Sequence, residues 1–131
     1  MPLKIRLNPE ERILISGAVI RNGPTPSVIL LENTVPVLRE KDILSPEKAH
    51  SACERLYLAI QLMYIDPENT RKYHQAYWDI AKQIVKAAPS MLASIDAISG
   101  LLLGNEYYKA LKAAQKLIRR ERELMSDAKR K

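Results

Sequence analysis

The chain has 131 residues, 47% hydrophobic and 27% charged, which suits one compact unit with a shared core and excludes two large lobes around a substrate cleft. Its 21 Lys and Arg against 15 Asp and Glu leave +6 and a pI near 9.5, a balance that favours nucleic acid, an anionic surface or an acidic protein patch as partner. A single cysteine excludes an internal disulfide framework, and no apolar run approaches the roughly 18–20 residues that a membrane span requires. In chain order, Leu3, Ile5 and Leu7 alternate with Lys4 and Arg6, as in a half-buried strand. Asn8-Pro9 makes a turn, Arg12-Ile13-Leu14-Ile15 is extended, and Gly17 marks a bulge or bend before Ala18-Val19-Ile20-Arg21. Asn22-Gly23-Pro24-Thr25-Pro26 is a dense turn signal. Ser27-Val28-Ile29-Leu30-Leu31 reads as a more deeply buried strand, and Glu32-Asn33-Thr34 turns into a last strand, Val35 to Arg39. Pro36 cannot donate to a ladder, so that strand is expected at an edge or with the Pro nitrogen facing out. About four short antiparallel strands in one small curled sheet, a half-barrel, are expected.

At Ser45 the period changes. Ser45-Pro46-Glu47-Lys48 predicts a helix start with a Ser cap and Pro in the first turn. Its apolar stripe is Ala49, Ala52, Leu56, Ala59, Ile60 and Met63, and it ends at Asp66-Pro67. A second helix from near Glu68 carries Tyr73, Ala76, Tyr77, Ile80, Ile84 and Val85 and ends by Ala88-Pro89. Ser90 is expected to cap a third, with Met91, Ile95, Ile98 and Leu102. Gly104-Asn105 breaks it, and a fourth runs through Tyr107, Leu111, Ala114, Ile118 and Met125. The expected fold is therefore α+β, with a β subdomain at residues 1–44 and about four helices at 45–131, folding as one unit.

Catalytic constellations are not in evidence. His50 and Cys53 are three apart on one helix, but no second Cys or His pair completes a metal site, and His74 lies on another helix. There is no glycine-rich phosphate loop and no Ser-His-Asp trio. Gly100 and Gly104 have GxxxG spacing, which here reads as close helix packing or a helix end. No enzyme, metal or cofactor is expected. Tyr73 and Tyr77 read as core, as do Tyr57 and Tyr64. Trp78, about 100° round the helix from Tyr77, marks a protein contact. Tyr107 and Tyr108 join it as partner-binding candidates.

The charge is unevenly spread: residues 116–131 hold seven cations and three acids, ending in Lys129-Arg130-Lys131, which reads as a solubilising tail. The sharper signal is Lys4, Arg6, Arg12, Arg21, Arg39 and Lys41, all in or beside strands. If the first and last strands are neighbours, Lys4, Arg6 and Arg39 share one edge or face, which suits a single-stranded RNA loop. The equal alternative is that these cations only block sheet-edge aggregation.

Three stretches carry a family resemblance: Gly17-Ala18-Val19-Ile20-Arg21-Asn22, Leu38-Arg39-Glu40-Lys41-Asp42-Ile43-Leu44, and Tyr57-Leu58-Ala59-Ile60-Gln61-Leu62-Met63-Tyr64-Ile65-Asp66-Pro67. They resemble the FlbT family of flagellum biosynthesis regulators, closely from Pro2 to Pro67 and loosely beyond. The resemblance implies a post-transcriptional repressor associated with the 5′ untranslated region of flagellin mRNA. Val35-Pro36-Val37-Leu38-Arg39-Glu40-Lys41-Asp42-Ile43 is also similar to the last strand of the carbon storage regulator family, and Leu3-Lys4-Ile5-Arg6 to its first. Pro9 to Gly17 is similar to its G-E-T-L-M-I-G stretch. That second likeness implies an RNA site at Lys4, Arg6 and Arg39, with Arg21 and Lys41 in support, and is compatible with a homodimer. Two departures stand: the related family has consecutive arginines where this chain has Arg6-Leu7, and the helical half has no counterpart there. The implied location is cytoplasmic, with no membrane partner. The rival reading is a module whose helices hold flagellin or a small flagellar regulatory protein, so that control of the message is indirect.

Overall fold

A computed structural model describes the backbone of residues 2–130 and the side chains of residues 2–128, so the basic ending Lys129-Arg130-Lys131 lies outside the described side chains. The fold is α+β, and the chain divides into two compact units, Met1–Ile43 and Leu44–Lys131.

The first unit has five strands rather than about four: β1 (Leu3–Leu7), β2 (Arg12–Ile15), β3 (Ala18–Arg21), β4 (Ser27–Leu31) and β5 (Val37–Arg39). Bend and reversal are separate outcomes at Gly17. Ser16 takes the left-handed conformation, φ 55°, and the chain folds back so that Leu14 faces Val19 and Ile13 faces Ile20. One extended run thus becomes a hairpin. The strands form two small antiparallel sheets, β1–β4 and β3–β2–β5. Ile5, Leu7 and Ile13 are the core, with Ile15, Ile29 and Val37 packed against them. The opposite pair Leu14 and Leu38 is buried as well. The fourth strand departs from expectation: Val28 is 50% and Leu30 60% exposed. A two-stranded ribbon has one covered face, and period two sends Val28 and Leu30 to the other.

In the second unit, α1 (Ala52–Ile65), α2 (Thr70–Ala87), α3 (Leu92–Leu103) and α4 (Tyr107–Arg130) follow one another, with α1 packed on α2 and α4, and α3 on α4. The first helix starts later than Ser45. Pro46–Lys48 is only a 3₁₀ turn, and the cap is Ser51, whose hydroxyl accepts the Glu54 amide while Glu54 accepts the Ser51 amide. This reciprocal box satisfies two end amides at once, which the isolated Ser45 does not. Likewise Ser90 lies in the 3₁₀ turn Pro89–Met91 and makes no side-chain cap. Gly104 and Asn105, the latter at φ 59°, end α3 as expected. A Cβ on Gly100 would meet nothing within 4 Å, so the GxxxG spacing reflects the helix end and not a close approach.

Tyr77 is the largest fully buried side chain of the described residues, its hydroxyl 2.7 Å from Ser99 Oγ. Tyr57 is buried as expected, whereas Tyr73 is half-buried and donates its hydroxyl to Asp66 at 2.7 Å. On α4 the buried set is Ala110, Leu111, Ala114 and Leu117, while Met125 is 54% exposed. Glu121 accepts the Cys53 amide at 3.2 Å, so α4 supplies a partner to the start of α1. Burial and then that carboxylate push the Cys53 thiol up to about 12. His50, three residues before it, is exposed. Among the described residues, no helix is long and apolar enough to cross a membrane.

Candidate nucleic-acid interface

The basic strand residues do not converge on one edge. Because β1 pairs with β4 and β5 with β2, the first and last strands share no ladder. Lys4 and Arg6 point outward from β1, opposite Leu30 and Val28 respectively. That face therefore presents two cations flanked by two exposed aliphatic side chains. Among the described residues neither Lys4 nor Arg6 has an ion-pair partner.

Arg39 is differently placed. It lies opposite Ile13, on the core side of its sheet, and its guanidinium meets Glu11 through Nε at 3.3 Å and Nη2 at 3.1 Å. Nη2 also donates to the backbone carbonyl of Arg6. One side chain thus ties β5 to the end of β1 and to the turn that follows it. The Glu11 side chain is only 11% exposed. Its carboxyl is held below the ordinary value, first by the Asn8 amide at 2.8 Å, then by Arg39 and the charge of Lys41. Arg39, Lys41, Glu11, Glu40, Asn8 and Pro9 line an open cleft of about 450 Å³. Two cations and two carboxylates make that cleft nearly neutral, unlike the face of β1. Arg21 stands opposite Arg12, where Glu10 at 3.6 Å offsets the repulsion.

Arg39→Ala therefore leaves Glu11 largely buried without its partner and lowers the stability of the first unit by about 1–2 kcal/mol, between exposed and buried ion pairs. Glu11 also sets an acid limit. Its folded value is depressed, so its stabilisation is complete above the ordinary value of 4.5 and is lost as pH falls through the lowered value. Denaturation titrations below that pH are expected to show a downward leg that Glu11→Gln flattens; an unchanged leg counts against the pairing.

Two residues that the sequence reading passed over position this interface. Glu11 is one, and nothing local announces that its partner is 28 residues away. The other is Asn22, whose side-chain amide donates to the carbonyls of Asn8 at 2.8 Å and Thr25 at 3.0 Å while its oxygen accepts the Ser27 hydroxyl at 2.7 Å. It joins the turn after β1 to the loop before β4. Its place in an Asn-Gly turn was the available signal.

The aromatic candidates lie in the second unit. Trp78 is 39% exposed and stands edge-on to Tyr77 at 5.2 Å between centroids; Tyr108 is 46% exposed, with the Tyr64 ring at 6.2 Å and Lys112 Nζ 5.2 Å over its face. Tyr107 is half-buried and donates its hydroxyl to Asn105 at 3.3 Å.

Residues 3–125 match the family model described as flagellar protein FlbT. A protein of Rhodopseudomonas palustris named as a probable flagellum biosynthesis repressor protein FlbT is 40% identical over 126 residues, 96% of this chain and 99% of the relative. A similarly named protein of Bradyrhizobium diazoefficiens is 42% identical over 125 residues, 95% of this chain and 85% of its own. The flagellum biosynthesis repressor protein FlbT of Caulobacter vibrioides is 35% identical over 125 residues, covering 94% and 89% of the two chains. No solved structure matches.

Proposed function

Because the chain belongs to the FlbT family of flagellar proteins, we propose that it represses flagellum biosynthesis after transcription, by binding the 5′ untranslated region of flagellin mRNA with the outer face of β1 and β4. The observation that carries this reading is the pair Lys4 and Arg6, exposed and without ion-pair partners among the described residues, beside Val28 and Leu30. Guanidinium and ammonium groups bind phosphates, and the aliphatic neighbours offer unstacked bases an apolar surface. Held across the ribosome-binding region, the protein excludes the ribosome, and the untranslated message decays. Its place of action is the cytoplasm. Relatives named as repressors support a regulator and not an enzyme. Arg39 contributes by holding β1 and the adjoining turn in place, and Arg21 and Lys41 add supporting charge.

The test is a titration of leader RNA at low and moderate salt. Lys4→Ala with Arg6→Ala is expected to weaken binding by about 1–3 kcal/mol and to make the salt dependence shallower. Unchanged affinity in a folded double variant overturns the site. A second reading, in which the helical unit holds flagellin, is favoured by the exposure of Trp78, Tyr108 and Leu103, the last at 75%. It predicts tight flagellin binding, insensitive to Lys4 and Arg6, beside weak and unselective RNA binding.

A further inference from the structure

The outward side of α4 has a charge pattern that the strand site does not use. From Tyr107 to Arg120 the helix carries Lys109, Lys112, Lys116, Arg119 and Arg120 and no acid; its acids, Glu121, Glu123 and Asp127, come only afterwards. At 100° per residue these five cations fall on one side, opposite the buried Ala110, Leu111, Ala114 and Leu117. They span about 16 Å of helix. Lys116, Arg119 and Arg120 are exposed and have no ion pair among the described residues. Glu121, the next acid, is turned inward onto the Cys53 amide, and Arg122 is taken by Glu54 at 3.4 Å. Lys109, at the start of the stripe, is paired with Glu106 at 3.7 Å, and Glu123 follows on the same side, so the part of the stripe without an ion pair among the described residues is Lys116, Arg119 and Arg120.

Helix stability does not explain this order. The macrodipole favours an acid at the start of a helix, which Glu106 just before Tyr107 supplies, and cations in the last turn, yet Lys116, Arg119 and Arg120 lie in the middle of α4. A membrane surface fits poorly, because an interfacial helix must present its apolar side, and that side is buried here. An acidic protein patch fits less well than a polyanion, since the middle of the stripe has no large apolar residue to anchor an interface. A row of cations without an apolar centre suits the sugar-phosphate backbone of a single strand.

We propose that the Lys109, Lys112, Lys116, Arg119 and Arg120 face of α4 is a second, sequence-independent contact for the RNA backbone. This rests on the RNA reading above. Affinity is then divided between the two surfaces: the strand face selects the message, and the helix face adds charge attraction to any RNA.

The test compares wild type, Lys4→Ala/Arg6→Ala and Lys116→Gln/Arg119→Gln/Arg120→Gln, the last chosen because glutamine keeps helix propensity and these positions face away from the core. Each is titrated with the flagellin leader and with an unrelated single strand of equal length. The triple variant is expected to lose affinity for both RNAs by the same factor. Its plot of log affinity against log salt should be shallower by about 2, which makes the wild type's loss between about 50 and 200 mM salt some 20-fold larger than the variant's. Wild-type affinity and slope in the triple variant overturn the helix contact while leaving the strand site standing. No RNA binding by wild type overturns both. Loss of binding to flagellin or to phosphatidylserine vesicles, with RNA binding unchanged, reassigns the stripe to a protein or a membrane.

Discussion

Tyr77→Ala is expected to destabilise the helical unit by about 3–5 kcal/mol, the range for removing a large, fully buried ring. Tyr77 is 0% exposed, on a helix that packs against α1, and its hydroxyl meets the buried Ser99 of α3. The truncation therefore opens a cavity and leaves the Ser99 hydroxyl without that partner. It also removes the ring against which Trp78 stands edge-on. Tyr77→Phe separates the two losses: with the ring kept, only the hydroxyl contact goes, at about 1 kcal/mol. Urea unfolding followed by helical circular dichroism measures both. An alanine variant within about 1 kcal/mol of wild type would mean that Tyr77 does not hold α2 in the unit, since ordinary surface substitutions already reach half that size.

The second large effect belongs to Asn22. Asn22→Ala is expected to cost about 2 kcal/mol in the first unit, from two well-formed donated bonds and one accepted. Asn22→Asp is expected to cost at least as much despite its matching shape. Its carboxylate cannot donate, and it would face the carbonyl oxygens of Asn8 and Thr25. The readout is native-state hydrogen exchange at the Glu10 and Asn22 amides, which bond to Gly23 and Glu11 across the same junction. Faster exchange at both amides is expected, together with weaker RNA binding through loss of the register that presents Lys4 and Arg6. Unaltered exchange in the aspartate variant would remove Asn22 from this role.

Much of the architecture was legible in the sequence because period and punctuation are local signals. The change near Ser45 from alternation to helical spacing, the proline at each of two helix junctions, and Gly104-Asn105 place the elements well. The errors came where two local signals compete. Ser45-Pro46 looks like a helix start, but Ser51 with Glu54 satisfies more end amides. Strand pairing is not local at all. That β1 chooses β4 and leaves β5 to β2 depends on packing Ile5, Leu7 and Ile13 together, and this decides what Arg39 does. As a residue type Arg39 is an RNA contact candidate; in its place it is a tie between strands. Lys4 and Arg6 were readable because alternation alone exposes them.

The hydrogen bond from the Cys53 amide to Glu121 joins positions 68 residues apart. At bacterial elongation rates of about 5–20 residues per second, some 3–14 s pass between synthesis of the donor and of its acceptor. The opening turn of α1 is held by the Ser51–Glu54 box alone in that interval and gains the Glu121 carboxylate only when α4 has left the ribosome. All strands of the first unit precede α1 in the chain, so the surface bearing Lys4 and Arg6 emerges while the helical unit is still being made.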